Sequence, residues 1–202
     1  MRIFSLFIAF MLTFNIFAEE VLIGGYHDNN GDGEHNVIAR LKENGSKIDC
    51  IYIFVASTMG NGYYRIDSNK IPEFVTALSE VKTKFEEWST QAIDNGIEKF
   101  TKEIRVNFPK VVVYLSGKSN FNFSQKLNAL FQVDNGIPCV WIYASTSTNF
   151  SKYNNKKEVF SMLFENPSDI DGLISILRDE ETILQLAHKN LQIERKFDDL
   201  FQ

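Results

Sequence analysis

The hydrophobic and polar positions of the chain predict two groups of strands, each followed by a helix. The strands of the first group are predicted at 21–26, 36–42, 48–57 and 63–67, and those of the second at 103–115, 121–131, 137–146 and 158–165. Residues 121–131 could instead be helical. Strands that follow one another through short turns, without intervening helices, pair antiparallel. The pattern therefore predicts an antiparallel sheet.

One long amphipathic helix is predicted after each group, over 69–99 and 168–197. Apolar side chains at i, i+3, i+4 and i+7 form one stripe in each helix: Ile71, Phe74, Val75 and Leu78 in the first, and Ile170, Leu173, Ile174 and Leu177 in the second. Such a stripe faces an apolar core. Pro72 and Pro167 mark the two N-termini, because proline is tolerated in the first turn of a helix.

The segments 48–61 and 137–149 resemble each other. They read IDCIYIFVASTMGN and IPCVWIYASTSTN, with the same order of Ile, Cys, aliphatic and aromatic residues before Ala-Ser-Thr. We predict an α+β fold of two tandem similar units, each a run of mostly antiparallel strands followed by one long helix, related by a pseudo-twofold. The alternative is chance, since any two strand–helix units share a general pattern.

The first 18 residues have the layout of a secretory signal peptide. Arg2 precedes an almost continuous apolar run over 3–17, and the small residue Ala18 stands at the cleavage position. An apolar run of about 15 residues is shorter than the span of about 20 that a bilayer needs. The alternative is an uncleaved anchor. We therefore predict a signal peptide over 1–18 and units over 19–100 and 101–202 that form one compact domain.

Composition and charge narrow the classes of function. The chain has 202 residues, of which 44% are hydrophobic, as in an ordinary globular protein. Its net charge of −5 argues against a nucleic-acid partner, which requires a basic surface. No stretch after residue 18 has the roughly 18 consecutive apolar residues of a membrane span. We therefore expect a periplasmic or secreted protein without a stable transmembrane segment after signal cleavage.

A candidate cation site lies in the polar segment after the first predicted strand. Asp28, Asn30 and Asp32 alternate as the oxygen ligands do in the first half of a calcium loop. The acidic ligand expected at the twelfth position is replaced by Ala39. We therefore predict weak calcium binding at best, and no other cofactor.

The same segment has two alternative interpretations. Asn, Asp and Gly residues also favour the turn of a plain connector between strands. His27 and His35 could instead bind a transition metal, but two histidines eight positions apart in a loop define no coordination geometry.

Cys50 and Cys139 occupy matching positions in the two similar segments. In an oxidising compartment they could form a disulfide, provided that their strands are close neighbours. The alternative is that both are buried apolar side chains.

The sequence contains no pattern that identifies a catalytic residue, and none is predicted. We expect a non-enzymatic binding or interaction module whose partner is a protein or glycan of the bacterial envelope. Four aromatic residues are candidates for its binding face: Tyr52, Tyr63, Trp141 and Tyr143. They could equally belong to the core. The alternative function is a periplasmic or secreted hydrolase whose catalytic residues the sequence does not reveal.

Overall fold

The protein has an α+β fold in which a large antiparallel sheet packs against three α-helices. The computed structural model describes residues 19–29, 33–42, 45–57, 60–115, 122–147 and 157–200. The predicted signal peptide, 1–18, lies outside the described residues. None of the helices in these ranges is both long enough and apolar enough to cross a membrane.

The first group of strands is a meander that leads into the first helix. Its strands are β1 (Glu19–Asp28), β2 (Gly33–Lys42), β3 (Lys47–Ser57) and β4 (Gly60–Asp67). Each strand pairs antiparallel with the next. A 3-10 turn, Ser68–Lys70, then leads into helix α1, Ile71–Asp94. The predicted strands and the start of the predicted helix are confirmed to within a few residues.

The second group contains six strands and ends in two helices. The strands are β5 (Lys99–Ile104), β6 (Lys110–Leu115), β7 (Asn122–Lys126), β8 (Asn128–Asp134), β9 (Ile137–Ser147) and β10 (Lys157–Phe164), and the helices are α2 (Pro167–Leu177) and α3 (Glu180–Leu200). Asn135 and Gly136, with φ of 51° and 78°, form the tight turn between β8 and β9. Positive φ at both central residues fits the twist of an antiparallel hairpin.

Two of the predicted strands are each divided. The segment 103–115 contains the end of β5 and all of β6, because β5 pairs with β8 whereas β6 pairs with β4 and β7. Pro109 immediately precedes β6, and it has no backbone N–H to donate to a ladder. The segment 121–131 is extended rather than helical, and it is divided between β7 and β8.

The first predicted helix ends earlier than expected, and the second is interrupted. Helix α1 ends at Asp94 because Gly96 has a φ of 60° and the Ile97 N–H returns to the Ala92 carbonyl at 2.9 Å. The prediction of one long helix over 168–197 is wrong. Asp179 interrupts it, since its Oδ1 accepts the Thr182 N–H at 2.7 Å and so caps the start of α3.

Strands β3 and β4 join the two groups into one sheet. The strand order is β5-β8-β9-β10-β3-β4-β6-β7, and β2 with β1 branches from β3. Along one edge of β3, residues up to Ile53 pair with β2, whereas Ala56 and Ser57 pair with β10. The other edge pairs with β4 from Cys50 to Ser57. One strand of eleven residues therefore has three neighbours.

The helices pack on one face of the sheet. The apolar stripe of α1 and the buried side chains of the strands belong to a single core. Phe85 of α1 lies 6.3 Å from Phe131 of β8, measured between ring centroids, and Phe74 lies 5.7 Å from Phe108. Side chains alternate between the two faces of a strand. The residues between the buried ones therefore point away from the helices, and we call that side the outer face.

The close packing of β4 against β10 provides a test of the fold. A Cβ atom at Gly62 would lie 2.5 Å from the ring of Phe160 and 2.7 Å from the Tyr114 carbonyl oxygen. We therefore expect Gly62→Ala to reduce the free energy of unfolding by about 1–3 kcal/mol, as overpacking does. Urea denaturation followed by circular dichroism measures the change.

Gly172→Ala in α2 is the matched control. A Cβ atom there has no neighbour within 4 Å, and alanine favours a helix over glycine by roughly 0.5–1 kcal/mol. The control should therefore be slightly more stable than the wild type. A Gly62→Ala protein as stable as the wild type would contradict the packing described here.

Candidate functional site

Four aromatic rings cluster on the outer face of the sheet. Tyr63 lies between Phe54 and Tyr114 on the neighbouring strands, at centroid distances of 5.6 and 5.0 Å. The rings of Tyr63 and Tyr114 are nearly parallel, with an interplanar angle of 14°, and Tyr52 meets Tyr63 edge-on at 5.3 Å. All four side chains are half-buried. We call Tyr52, Phe54, Tyr63 and Tyr114 the aromatic face.

The sequence places these rings on the outer face by simple alternation. In β3 the buried residues Ile51, Ile53 and Val55 point toward the helices, so Tyr52 and Phe54 point away from them. The antiparallel register then puts Phe54 opposite Tyr63, and Tyr63 opposite Tyr114. One ring per strand therefore continues across β3, β4 and β6.

An open groove runs beside the aromatic face. Its lining residues are Glu20, Ile38, Tyr52, Phe54 and Tyr63, and its volume is about 210 Å³. Burial raises the pKa of Tyr63, and the negative charges of Tyr114 and Glu20 raise it further. The groove thus combines aromatic walls with the Glu20 carboxylate, which can accept hydrogen bonds.

Charged side chains lie next to the rings. Arg40 Nη1 donates to the Tyr52 hydroxyl at 3.4 Å, and the same guanidinium lies 3.8 Å from the Asp49 carboxylate. Arg65 pairs with Asp67 at 3.1 Å. Burial raises the pKa of Tyr52 to about 12, against the opposing effect of the Arg40 hydrogen bond. The Tyr52 phenol therefore stays protonated at neutral pH and keeps a hydrogen to donate.

The structure brings together only two of the four aromatic residues that the sequence suggested for a binding face. Tyr52 and Tyr63 are in contact, whereas Trp141 and Tyr143 lie on β9, which β10 separates from β3. Phe54 and Tyr114 also belong to the aromatic face but were not predicted from the sequence. The alternation that exposes Tyr52 also applies to Phe54, two positions further along the strand. Tyr114 belongs to the second group of strands, so only the order of the sheet places it beside Tyr63.

Asp28, the first of the predicted calcium ligands, ties β1 to β10. Its side chain is fully buried, and its Oδ1 accepts the Leu163 N–H at 2.8 Å. The Asn29 N–H donates to the Leu163 carbonyl at 2.9 Å. Asn30 and Asp32 lie outside the described residues. Within the described ranges, no three His, Cys, Asp or Glu side chains are grouped so that they could hold a metal ion.

Asp28 also lies beside His35 on the helix side of the β1–β2 hairpin. Oδ2 of Asp28 is 3.6 Å from Nε2 of His35, an ion-pair distance that is too long for a hydrogen bond. An Asp–His pair can supply the general base of a hydrolase that works through a serine nucleophile. His27 is exposed between the buried residues Tyr26 and Asp28. It therefore points to the opposite side of the hairpin from His35 and cannot share a metal with it.

The two cysteines are free thiols in buried positions. Cys50 lies on β3 opposite Arg40 and Asp67, and Cys139 lies on β9 opposite Gln132. Burial raises the pKa of Cys139 to about 11, and the negative charges of Glu165 and Asp134 contribute to the increase. Cys139 is therefore a neutral thiol at physiological pH.

Comparison of the chain with protein-family models, with curated proteins and with solved structures finds no match in any of the three. We therefore argue its function from the geometry and chemistry of the aromatic face.

The role of Asp28 can be measured as stability. Asp28→Ala leaves the buried Leu163 N–H without its acceptor, which should reduce the free energy of unfolding by about 1–3 kcal/mol. Asp28→Asn keeps an oxygen in the same position, so we expect it to recover part of the lost stability.

The exposed Asp94 at the end of α1 provides the control. Asp94→Ala should change stability by less than about 0.5 kcal/mol. Equal stability of Asp28→Ala and Asp94→Ala in urea denaturation would refute the proposed tie.

The raised pKa of Cys139 predicts a loss of stability in alkali. The ordinary value is 9.0 and the folded value is about 11. When a group has a higher pKa in the folded protein than in the unfolded chain, its contribution to stability is complete at pH values below the unfolded pKa. That contribution is lost as the pH rises through the folded pKa. The free energy of unfolding should therefore fall between pH 9.0 and about 11. It should fall less steeply in Cys139→Ala. Parallel urea titrations across this range make the comparison, and identical slopes for the two proteins would rule out the contribution.

Proposed function

We propose that the protein is an exported, non-enzymatic binding module that holds a glycan of the bacterial envelope on the aromatic face. The observation that carries the proposal is the row of Phe54, Tyr63 and Tyr114, which presents one half-buried ring on each of three adjacent strands. The export part of the proposal rests on the signal-peptide pattern of residues 1–18.

A sugar matches both parts of this surface chemically. The faces of a pyranose ring carry C–H groups that pack on aromatic rings, and its edge carries hydroxyls that need donors and acceptors. The groove supplies the Glu20 carboxylate, and Arg40 lies beside the hydroxyl of Tyr52. Single-stranded nucleic acid also stacks on aromatic rings, but its phosphates require a positive surface. The net charge of −5 favours a neutral ligand.

The placement of the acidic residues favours binding over hydrolysis. Glycoside hydrolysis typically uses two carboxyl groups that flank the scissile bond. On the outer face Asp49 is engaged by Arg40 and Asp67 by Arg65, whereas Glu20 lines the groove. The alternative is a hydrolase, and in the part of the chain that the structure describes its support is the Asp28–His35 pair, which lies on the other face of the sheet.

We also propose that the chain consists of two tandem units related by duplication. One feature of the strand pairing and one of side-chain burial support this duplication. Ile51 of β3 pairs with Ile66 of β4, and Val140 at the matching position of β9 pairs with Phe164 of β10. Tyr52 and Trp141, one residue further along, are both half-buried beside a fully buried neighbour. The second unit differs from the first in having six strands instead of four and in ending with two helices instead of one.

The glycan proposal is tested by removing the central ring. We expect Tyr63→Ala to weaken binding of an N-acetylglucosamine pentamer by about tenfold or more, taking as a guide the roughly 1–3 kcal/mol that one aromatic ring contributes by stacking on a nucleobase. Tyr63→Phe keeps the ring and should bind almost as well as the wild type. Isothermal titration calorimetry measures both affinities, and cellopentaose tests whether the N-acetyl groups matter.

Phe197→Ala is the matched control, because Phe197 is an exposed aromatic residue on α3, away from the aromatic face. It should leave the affinity unchanged. Mass spectrometry of the sugar after each titration separates the two functions. Intact pentamer supports a binding module, whereas shortened products would support the hydrolase. Failure of the wild type to bind either sugar would contradict the proposal.

A further inference from the structure

Strand β5 lies at one end of the sheet and exposes almost its whole length. It pairs with β8 along one edge, and its other edge pairs with no other strand that the structure describes. Five of its six residues are exposed. An edge strand presents unpaired backbone groups, which makes it a template for a further strand.

Exposed apolar side chains lie at this edge. Phe100 of β5 is 44% exposed, and Ile97, which lines the same groove, is 39% exposed. The Gly136 N–H donates to the Glu98 carbonyl at 3.0 Å, which holds the β8–β9 turn against the start of β5. Exposed apolar side chains that share a groove are typical of an interaction surface.

This groove lies on the helix side. It has a volume of about 330 Å³, and its lining includes Trp88, Ala92, Phe100 and Phe131. Lys102 Nζ lies 4.3 Å from the centre of the Trp88 ring. The strand that covers the free edge of β5 would therefore meet an apolar groove with one cation beside it.

We propose that a second copy of this chain covers the edge, with the two β5 strands pairing antiparallel about a twofold axis at Thr101. In this register Lys99 of each copy lies opposite Glu103 of the other, and Phe100 lies opposite Lys102. Opposite charges that face each other across antiparallel strands are favourable. A twofold axis uses each such pair twice.

Two other registers of the same pairing place like charges in opposition. A shift by one residue in one direction puts Lys99 opposite Lys102, and a shift by two residues in the other direction puts Lys102 opposite itself. Like charges in direct opposition destabilise a sheet. The sequence of β5, Lys99–Ile104, is therefore complementary to itself in the register centred on Thr101. This charge complementarity is what favours a second copy over an unrelated peptide.

Charge reversal at the paired positions tests the proposal. Sedimentation velocity of the exported chain, 19–202, should show a monomer–dimer equilibrium in the micromolar range. Lys99→Glu places like charges opposite each other twice in the dimer, and we expect it to weaken dimerisation by about tenfold. Glu103→Lys should weaken it equally. The double variant Lys99→Glu/Glu103→Lys restores both pairs and should dimerise like the wild type.

A mixture of the two single variants gives an independent readout. Each copy of Lys99→Glu is complementary to a copy of Glu103→Lys, so an equimolar mixture should form heterodimers although each variant alone is largely monomeric. Lys47→Glu, at an exposed position of β3, makes the same change in net charge and should leave the equilibrium unchanged. Circular dichroism confirms that each variant is folded. A wild-type chain that stays monomeric at high concentration, or a dimer that the single variants do not weaken, would overturn the proposal.

Discussion

The connection between β1 and β10 includes one fully buried carboxylate. Asp28 Oδ1 accepts the Leu163 N–H, and the next residue along the chain donates its N–H to the Leu163 carbonyl. Close by, the hydroxyls of Tyr26 and Tyr64 donate to the carbonyls of Phe54 and Phe160, each at 2.6 Å. Buried polar groups are tolerated when they are hydrogen-bonded. The bonds to Leu163 and Phe160 hold the first meander against β10. They lie near the point where the partner along one edge of β3 changes from β2 to β10.

The two faces of the sheet then acquire different roles. The helices cover one face, which removes its apolar side chains from water and supplies the main stabilisation of the fold. The outer face keeps half-buried rings in cross-strand contact, so that Tyr63 is held on both sides by Phe54 and Tyr114. Rings that are already packed lose little conformational freedom when a ligand stacks on them. A rigid aromatic surface is thus a direct consequence of the register between β3, β4 and β6.

The sequence predicted local structure better than the arrangement of the elements. Alternation and apolar stripes located the strands of the first group and the start of both helices, because these signals depend only on neighbouring residues. The break at Asp179 was missed although Asp is a common helix cap, since the apolar stripe continues on both sides of it. The role of Asp28 and the position of Tyr114 depend on pairing between residues far apart in the chain. Local patterns contain no information on such pairing.

The central claim is that the aromatic face is the ligand-binding surface. The most direct measurement is a nuclear magnetic resonance titration of the chain 19–202 with the N-acetylglucosamine pentamer, in which backbone amide and aromatic C–H signals are followed residue by residue. The account predicts that the largest shifts occur at Phe54, Tyr63 and Tyr114 and that they saturate together. Shifts centred on Asp28 and His35, with the aromatic signals unchanged, would contradict it.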